Sequence, residues 1–506
     1  MLDRLKSTVR DTFIYSLSNI APKLVGVILL PLFTARLVIN DFGNYDLIDN
    51  TIQILVEIVI LGQASSLIFL NNSREYKESK GTALFTLTLF ILTFCTLLVL
   101  FTELFVSNFS AYFEHSQFKP EFIRLSSYIV LLRVMNNLFL AKVRADEEAV
   151  YYSALNICKI LLMTILSIYL VAYLNKGIYG ILLAMAVPEL VSTAALLLKI
   201  VPKMKFRFSH GILSTAFNFG FPLLFSSLGF MLLNQSDRFI IKLLLGSKYV
   251  AIYGLGYRVS GVLNMFLVLP FSLGLLPIAY KYYGMPGDKR FFSKLMTYST
   301  FVFIWGFVFL SLFSKEIVGI FGRQDDFQSA YIVIPVVLLS YVFSGMRMTA
   351  SLGMMLTKNT KHIAWITIAA SSLNIILNFI FIPVYGIMAA AFNTLIAFVI
   401  FYAVTQKLSN RYLKIEYENY KIFIMVLTGS VLSLPIYFFP AMNVILAGSV
   451  KLLLVILYPV FLYFFNFYEK AELEILLSPA KLIDFAKGIV KGTTNTETFE
   501  RTRGLQ

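Results

Sequence analysis

The sequence predicts an all-α integral membrane protein of about 14 transmembrane helices, two six-helix lobes around a central cavity plus two extra C-terminal helices. Three observations predict it. The 506 residues are 58% hydrophobic and 14% charged, far outside the range of soluble chains on both counts. Runs of about 20 apolar residues recur along most of the chain, each long enough to cross a hydrocarbon core of about 30 Å as a helix. The connections between those runs alternate between basic-rich and basic-poor.

The apolar runs place helices at 12–33, 46–70, 82–106, 122–141, 153–174, 177–200, 213–244, 250–279, 292–313, 331–356, 362–384, 386–407, 420–440 and 442–467. The segment before the first run lacks a short apolar core with a small-residue cleavage site, so the first helix is expected to remain as an anchor. One set of connections carries Arg4, Lys6 and Arg10, then Arg74, Lys77 and Lys80, then Lys142 and Arg144, then Lys199 to Arg207, and continues so to Lys421. The other set carries isolated cations such as Arg36, Lys119, Lys176 and Arg323. The richer side is cytoplasmic by the positive-inside rule, which puts both termini inside, as an even number of helices requires. The same rule accounts for most of the net charge of +15, so nucleic acid is not an expected partner.

Spaced matches suggest an internal repeat. Pro22 and Pro222 lie 200 positions apart, and Tyr45 and Tyr253 lie 208 apart. Tyr179-Gly180-Ile181 with Ala184 recurs as Tyr385-Gly386-Ile387 with Ala390. A six-helix unit repeated in one membrane orientation gives two lobes with a substrate site between them. The expected divisions are 1–205, 206–410, 411–468 for the two extra helices, and 469–506 for a cytoplasmic amphipathic helix and a disordered tail.

Enzymatic chemistry finds little support. The stretch Gly254-Leu255-Gly256 sits in an apolar run without the Lys-Ser/Thr of a nucleotide-binding loop. His115, His210 and His362 fall in loops or at helix ends and join no cluster of metal-ligand or nucleophile spacing. Cys95 and Cys158 lie in apolar runs and read as packing residues. No cofactor and no metal is expected.

The opening ILLPLFTARLVINDFGNYDLID holds Pro31, Thr34, Arg36, Gly43 and Tyr45. The seventh helix carries Asp237-Arg238-Phe239-Ile240-Ile241. From Asn374 to Thr394 the chain reads NIILNFIFIPVYGIMAAAFNT, with an Asn-x-x-x-Asn face, Pro383, Gly386 and a run of alanines. These stretches resemble the multidrug/oligosaccharidyl-lipid/polysaccharide exporter superfamily, and within it the Wzx-type flippases of lipid-linked polysaccharide units, over about residues 10–410. The resemblance implies alternating access without ATP, in a bacterial inner membrane. It implies a substrate of oligosaccharide on undecaprenyl diphosphate moved from the cytoplasmic to the periplasmic leaflet. Lipid-linked oligosaccharide, membrane lipid and polysaccharide polymerase machinery are the expected partners, with H+ or Na+ as coupling ion. A multidrug cation antiporter, a peptidoglycan lipid-precursor flippase and a membrane-embedded glycan polymerase are the alternatives.

Charges at membrane depth are functional candidates by default. Arg133, Arg258, Arg347, Lys159 and Lys23 fall within predicted helices and suit a diphosphate, which Arg forks and Lys point charges match well. Snorkelling to the interface is the competing reading for each. Glu57 and Glu189 are mid-membrane acids that could bind a coupling proton or pair with a cavity Arg. Asp237 and Arg238 read equally as a structural pair. Asn374 and Asn378 read as interhelical hydrogen-bond partners, and Pro383 with Gly386 as a turn and close-packing device.

Overall fold

A computed structural model describes residues 24–112, 119–438, 444–465 and 467–469. Lys23, the predicted start of the first helix and the predicted amphipathic tail lie outside the described residues. The helices are α1 (Leu24–Arg36), α2 (Ile39–Ile60), α3 (Gln63–Asn72), α4 (Lys80–Tyr112), α5 (Pro120–Ala145), α6 (Ala149–Tyr173) and α7 (Gly177–Ile200). There follow α8 (His210–Leu245), α9 (Ser247–Tyr282), α10 (Asp288–Leu312), α11 (Ser314–Phe321), α12 (Ile334–Leu356), α13 (Lys361–Tyr412), α14 (Asn419–Tyr437) and α15 (Val444–Phe464).

Among the described residues, 11 helices are long and apolar enough to span a membrane, or 12 if α2 and α3 count as one bent span. Helix α13 has 52 residues and is interrupted at Gly386. That is more than twice the length needed to cross a bilayer, and its arms, 361–385 and 387–412, match two of the predicted helices. The break follows from local chemistry. Gly386 takes φ 63°, a region open to glycine and strained for other residues.

Two boundaries differ from the sequence reading. The second helix begins at Ile39 rather than near residue 46, because Leu37 and Val38 are extended and the turn after them already buries Ile39, Phe42 and Asn44. It then breaks at Leu61 and Gly62, both left-handed with φ 50° and 71°. The two arms bend by 43°. Gly62 was the one local signal for that break, while Leu61 beside it takes a conformation that costs an L side chain energy.

In the N-terminal half α5 packs on α4, α3, α2 and α7, and α6 on α7; in the C-terminal half α8 packs on α13 and α12 on α13, α10 and α9. Between the halves run contacts of α2 and α3 with α8 and α9. Charged ends tie the first half together: Lys142 donates to Asn71 at 2.8 Å and pairs with Asp146 at 2.5 Å, and Lys203 reaches Asp146 at 3.0 Å. Lys199 pairs with Glu148 beside them. Burial alone would push the Asp146 and Glu148 carboxyls up, but the surrounding ammonium groups outweigh it and hold both below the usual range.

Helices α14 and α15 pack on α10 and on each other. At one end of α10, Lys294 pairs with Glu418 at 2.9 Å; farther along, the Trp305 indole donates to the Val455 carbonyl at 3.0 Å. Lys451, buried in α15, pairs with Glu316 of α11 at 2.5 Å.

Candidate functional site

Helix α2 carries Asp46, Asp49, Asn50, Gln53 and Glu57, which the 3.6-residue period gathers on one side. That side meets the C-terminal half. Asp46 is 2% exposed and takes donors from three directions. Its Oδ1 accepts from Arg258 Nε at 3.0 Å and Nη2 at 2.7 Å, while its Oδ2 accepts from Arg238 Nε at 3.1 Å and Asn50 at 3.2 Å. Gly254 makes the approach possible, since a Cβ there would meet the Asp46 carboxylate at 2.9 Å.

Both guanidiniums also rest on aromatic rings. Arg258 lies 5.2 Å from the Tyr45 ring centre and Arg238 lies 4.2 Å from that of Tyr257. Asp237 is fully buried, bonded to the Arg238 backbone and guanidinium at 2.9 and 3.2 Å and to the Tyr253 hydroxyl. Asp237 and Arg238 therefore form part of one network with Asp46, rather than an isolated pair. The Tyr45 and Tyr253 picked out by the repeat both lie in it.

One turn along α2, Asp49 sits between the halves. It is 3.8 Å from Arg133 of α5 and 3.7 Å from Arg258 of α9. Arg133 also reaches Glu189 at 3.4 Å, and Glu189 in turn pairs with Lys159 at 3.2 Å. Pro188, inside α7, precedes Glu189 and leaves a helix carbonyl without its partner, which loosens the turn beside it. The Arg133, Asp49 and Arg258 side chains are 21%, 17% and 21% exposed, in contrast to the sealed Asp46.

Below this, the α2–α3 arm runs antiparallel to α8 with paired polar contacts. Gln235 donates to Gln53 at 3.2 Å and Ser227 to Glu57 at 2.5 Å. Gly62 faces Gly220, Ser66 donates to the Ala216 carbonyl at 2.6 Å, and Phe69 stacks on Phe219 with centroids 4.5 Å apart. At the opposite end Thr34 donates to the Phe321 carbonyl at 2.5 Å and Gln324 to that of Leu37 at 2.9 Å. The halves touch at both ends of this seam.

The remaining candidates lie at its edge or beyond it. Asn378 donates to Asn374 at 3.1 Å and Asn393 to Asn378 at 3.0 Å, and Asn374 donates to Thr394 at 3.3 Å. This chain ties the two arms of α13 together across the Pro383–Gly386 corner, and Ser236 of α8 joins it at 3.5 Å. The amides are satisfied among themselves. Arg347 of α12 is 7% exposed and lies between aromatic rings, away from any carboxylate among the described residues.

Thus Arg133, Arg258, Lys159, Glu189, Asp237 and Arg238 converge on one continuous network, Glu57 continues it along the seam, the Asn pair meets its edge through Thr394 and Tyr253, and Arg347 does not join it. The expected cationic cluster is interleaved with acids. Asp46 and Asp49 supply the difference, and sequence reasoning missed them by placing Asp46 at a loop end. Their spacing to Glu57 was the available signal, because 46, 49, 50, 53 and 57 share one helical face.

The described helices thus form a membrane bundle whose two halves meet through paired charged groups. The chain belongs to the polysaccharide biosynthesis protein family, whose model matches residues 8–282, more than half of its length. A second family model, MatE, matches residues 222–380. Among solved structures the fold is similar to a lipid II flippase, MurJ, in an inward closed conformation. That match has a TM-score of 0.70 and 15% identity, covering 89% of this chain and 98% of that one. It is also similar to a multidrug resistance MATE family transporter of the MOP superfamily in an inward-facing conformation, with TM-score 0.58, 15% identity, and coverage of 81% and 95%. The outward-facing conformation of such a transporter gives 0.56 and 14%, covering 83% and 96%. No curated protein sequence matches the chain.

Proposed function

We propose that this protein is a flippase that carries undecaprenyl-diphosphate-linked oligosaccharide units from the cytoplasmic to the periplasmic leaflet by alternating access. The observation that carries the reading is the convergence of Arg133 and Arg258, from opposite halves, on Asp49 at 3.8 and 3.7 Å. Both contacts are long and the three side chains are partly accessible. A diphosphate brings about two negative charges and suits two Arg forks, so it can bridge them in place of Asp49, whose partly accessible carboxylate turns to solvent. The glycan travels with the headgroup while the polyprenyl tail stays in lipid.

In this reading the two halves rock about the seam of α2–α3 with α8–α9. The end holding Gly62 and Gly220 opens to the cytoplasm, and the end holding Leu37 and Gln324 opens to the periplasm. Glu189, shared by Arg133 and Lys159, is the acid best placed to answer a coupling ion, H+ or Na+, because a change in its charge alters two cations at once. The family assignment favours a polysaccharide unit over lipid II, the substrate of the flippase with a similar fold.

The test is flipping of lipid-linked glycan in cells, normalised to protein in the membrane. Arg133→Gln and Arg258→Gln each remove charge-assisted bonds that contribute about 1.5–3 kcal/mol, so normalised transport is expected to fall roughly 10- to 150-fold. The Lys variants, which keep charge and lose the fork, are expected to fall less. Full normalised activity for Gln at both positions would remove the mechanism.

Orientation has its own check. With both termini cytoplasmic, Lys205→Cys and Lys289→Cys in a background lacking Cys95 and Cys158 are expected to resist a membrane-impermeant thiol reagent applied to intact cells. Arg323→Cys is expected to react. All three positions are exposed, so protection reports the membrane rather than the fold. Labelling of residue 205 from outside would reverse the proposed direction.

A further inference from the structure

Arg347 presents a different problem from the other membrane-embedded arginines. It is 7% exposed, yet its Nε is buried without a hydrogen-bond partner and its Nη2 meets only the thioether sulfur of Met348, at 3.1 Å. Arg238 and Arg258, by contrast, both hold the Asp46 carboxylate. The guanidinium of Arg347 is walled by Phe401, 4.5 Å to the ring centre, and Phe230, 5.7 Å. Around it lies an apolar cluster that includes Leu233, Met354 and Phe398. Thr405, one turn beyond Phe401 on the same face of α13, has a buried hydroxyl that is also without a partner.

A guanidinium carries five donors and a permanent charge. Held at membrane depth among rings and alkyl groups, it lacks the acceptors such a group demands. Phe230 is 39% exposed, so the charge lies one ring in from an accessible surface. We propose that Arg347 is the anchor of a second anion site, inside the C-terminal half, which takes the phosphate group of a lipid. A phosphate accepts from the free Nε edge of the fork and a further oxygen reaches towards the Thr405 side. The apolar walls suit an anion delivered on acyl or prenyl chains rather than one arriving from water.

The site is separate from the central network. Phe230 precedes Arg238 by eight residues on α8, which places the two about 12 Å apart along the helix axis. It does not depend on the flippase reading, because a resident phospholipid and the lipid-linked diphosphate offer the same chemistry.

The experiment uses the full chain in detergent and native mass spectrometry. The probes are phosphatidic acid and diacylglycerol, which differ by the phosphate alone, and undecaprenyl diphosphate. Wild type is expected to retain one phosphatidic acid roughly 10-fold or more tightly than Arg347→Gln does, and to show no such preference for diacylglycerol. Arg347→Lys is expected to lie between, and the loss caused by Arg347→Gln is expected to persist in an Arg133→Gln background, where the central site is already weakened. Should Arg347→Gln fold poorly, Arg347→Lys decides, since phosphatidic acid is expected to raise its unfolding temperature less than that of wild type and diacylglycerol is expected to raise neither.

Equal retention of both glycerolipids, equal retention by Arg347→Gln, or no retained phosphate lipid in wild type would each overturn the proposal. Loss of undecaprenyl diphosphate binding in Arg347→Gln as well as in Arg133→Gln identifies the transported lipid as an occupant. Loss in Arg133→Gln alone identifies a resident phospholipid. Failure of the flippase reading would show instead as unchanged transport in the Arg133 and Arg258 variants, whatever happens at Arg347.

Discussion

Replacing Asp46 with Ala is expected to destabilise the protein by about 3–5 kcal/mol, the range for removing one partner from a buried ion pair. Asp46 holds two arginines that come from different helices of the C-terminal half, and no other residue touches both through a carboxylate among the described contacts. Its loss leaves Arg238, 5% exposed, with only Asp237 and a carbonyl, and leaves Arg258 with the weaker contact to Asp49 at 3.7 Å. The measurement is thermal unfolding of purified protein together with the amount found in the membrane. Asp46→Asn keeps the shape and part of the hydrogen bonding, so its effect is expected to be smaller. Because most of the loss arises from stranded charge, Arg258→Met added to Asp46→Leu is expected to recover much of the stability, with Arg238 still paired to Asp237, while abolishing transport. An unchanged unfolding temperature for Asp46→Ala would show that the three groups are independently solvated.

The second large effect is expected at Gly62. Its φ of 71° is one that an L side chain adopts at a cost of about 1–2 kcal/mol. A Cβ there would also overlap the Gly220 carbonyl, which is backbone and cannot swing away. Overpacking of this kind adds about 1–3 kcal/mol unless the helices part. Gly62→Ala is therefore expected to push α3 away from α8, break the Ser66 bond to Ala216 and unstack Phe69 from Phe219. The readout is reaction of a cysteine at Ser66 with a thiol reagent, which should rise several-fold, alongside a fall in transport. Gly211→Ala, on the same α8 where a Cβ meets nothing within 4 Å, is the silent control. Equal reactivity in the Gly62→Ala and Gly211→Ala backgrounds would mean that the closed seam does not depend on this contact.

Much of the architecture was legible because bilayer length and apolarity are local properties. The corner at Gly386 was legible for the same reason, since proline and glycine act on their own backbone. Leu61 shows the opposite case. Nothing in the residue itself favours a left-handed conformation; the neighbouring Gly62 does, and the bent arm lies against Gly220, about 160 positions away in sequence. The site divides in the same way. Arg133, Arg258 and Glu189 stood out as charges inside apolar runs. Asp46 did not, because its meaning comes from Arg238 and Arg258, 192 and 212 positions later. Arg347 was legible as a buried charge, but its separation from the others depended on which way α12 is turned.

The attachment of α14 and α15 has a consequence for how this machine can be observed and regulated. Lys294 with Glu418, and Lys451 with Glu316, bracket the pair against α10 and the adjoining α11. The two helices are thus passengers of one half. Anything bound to their outer surface, whether a fluorescent reporter or another membrane protein, would travel with the C-terminal half and leave the seam untouched. A partner anchored there could sense which way the transporter faces without touching its cargo.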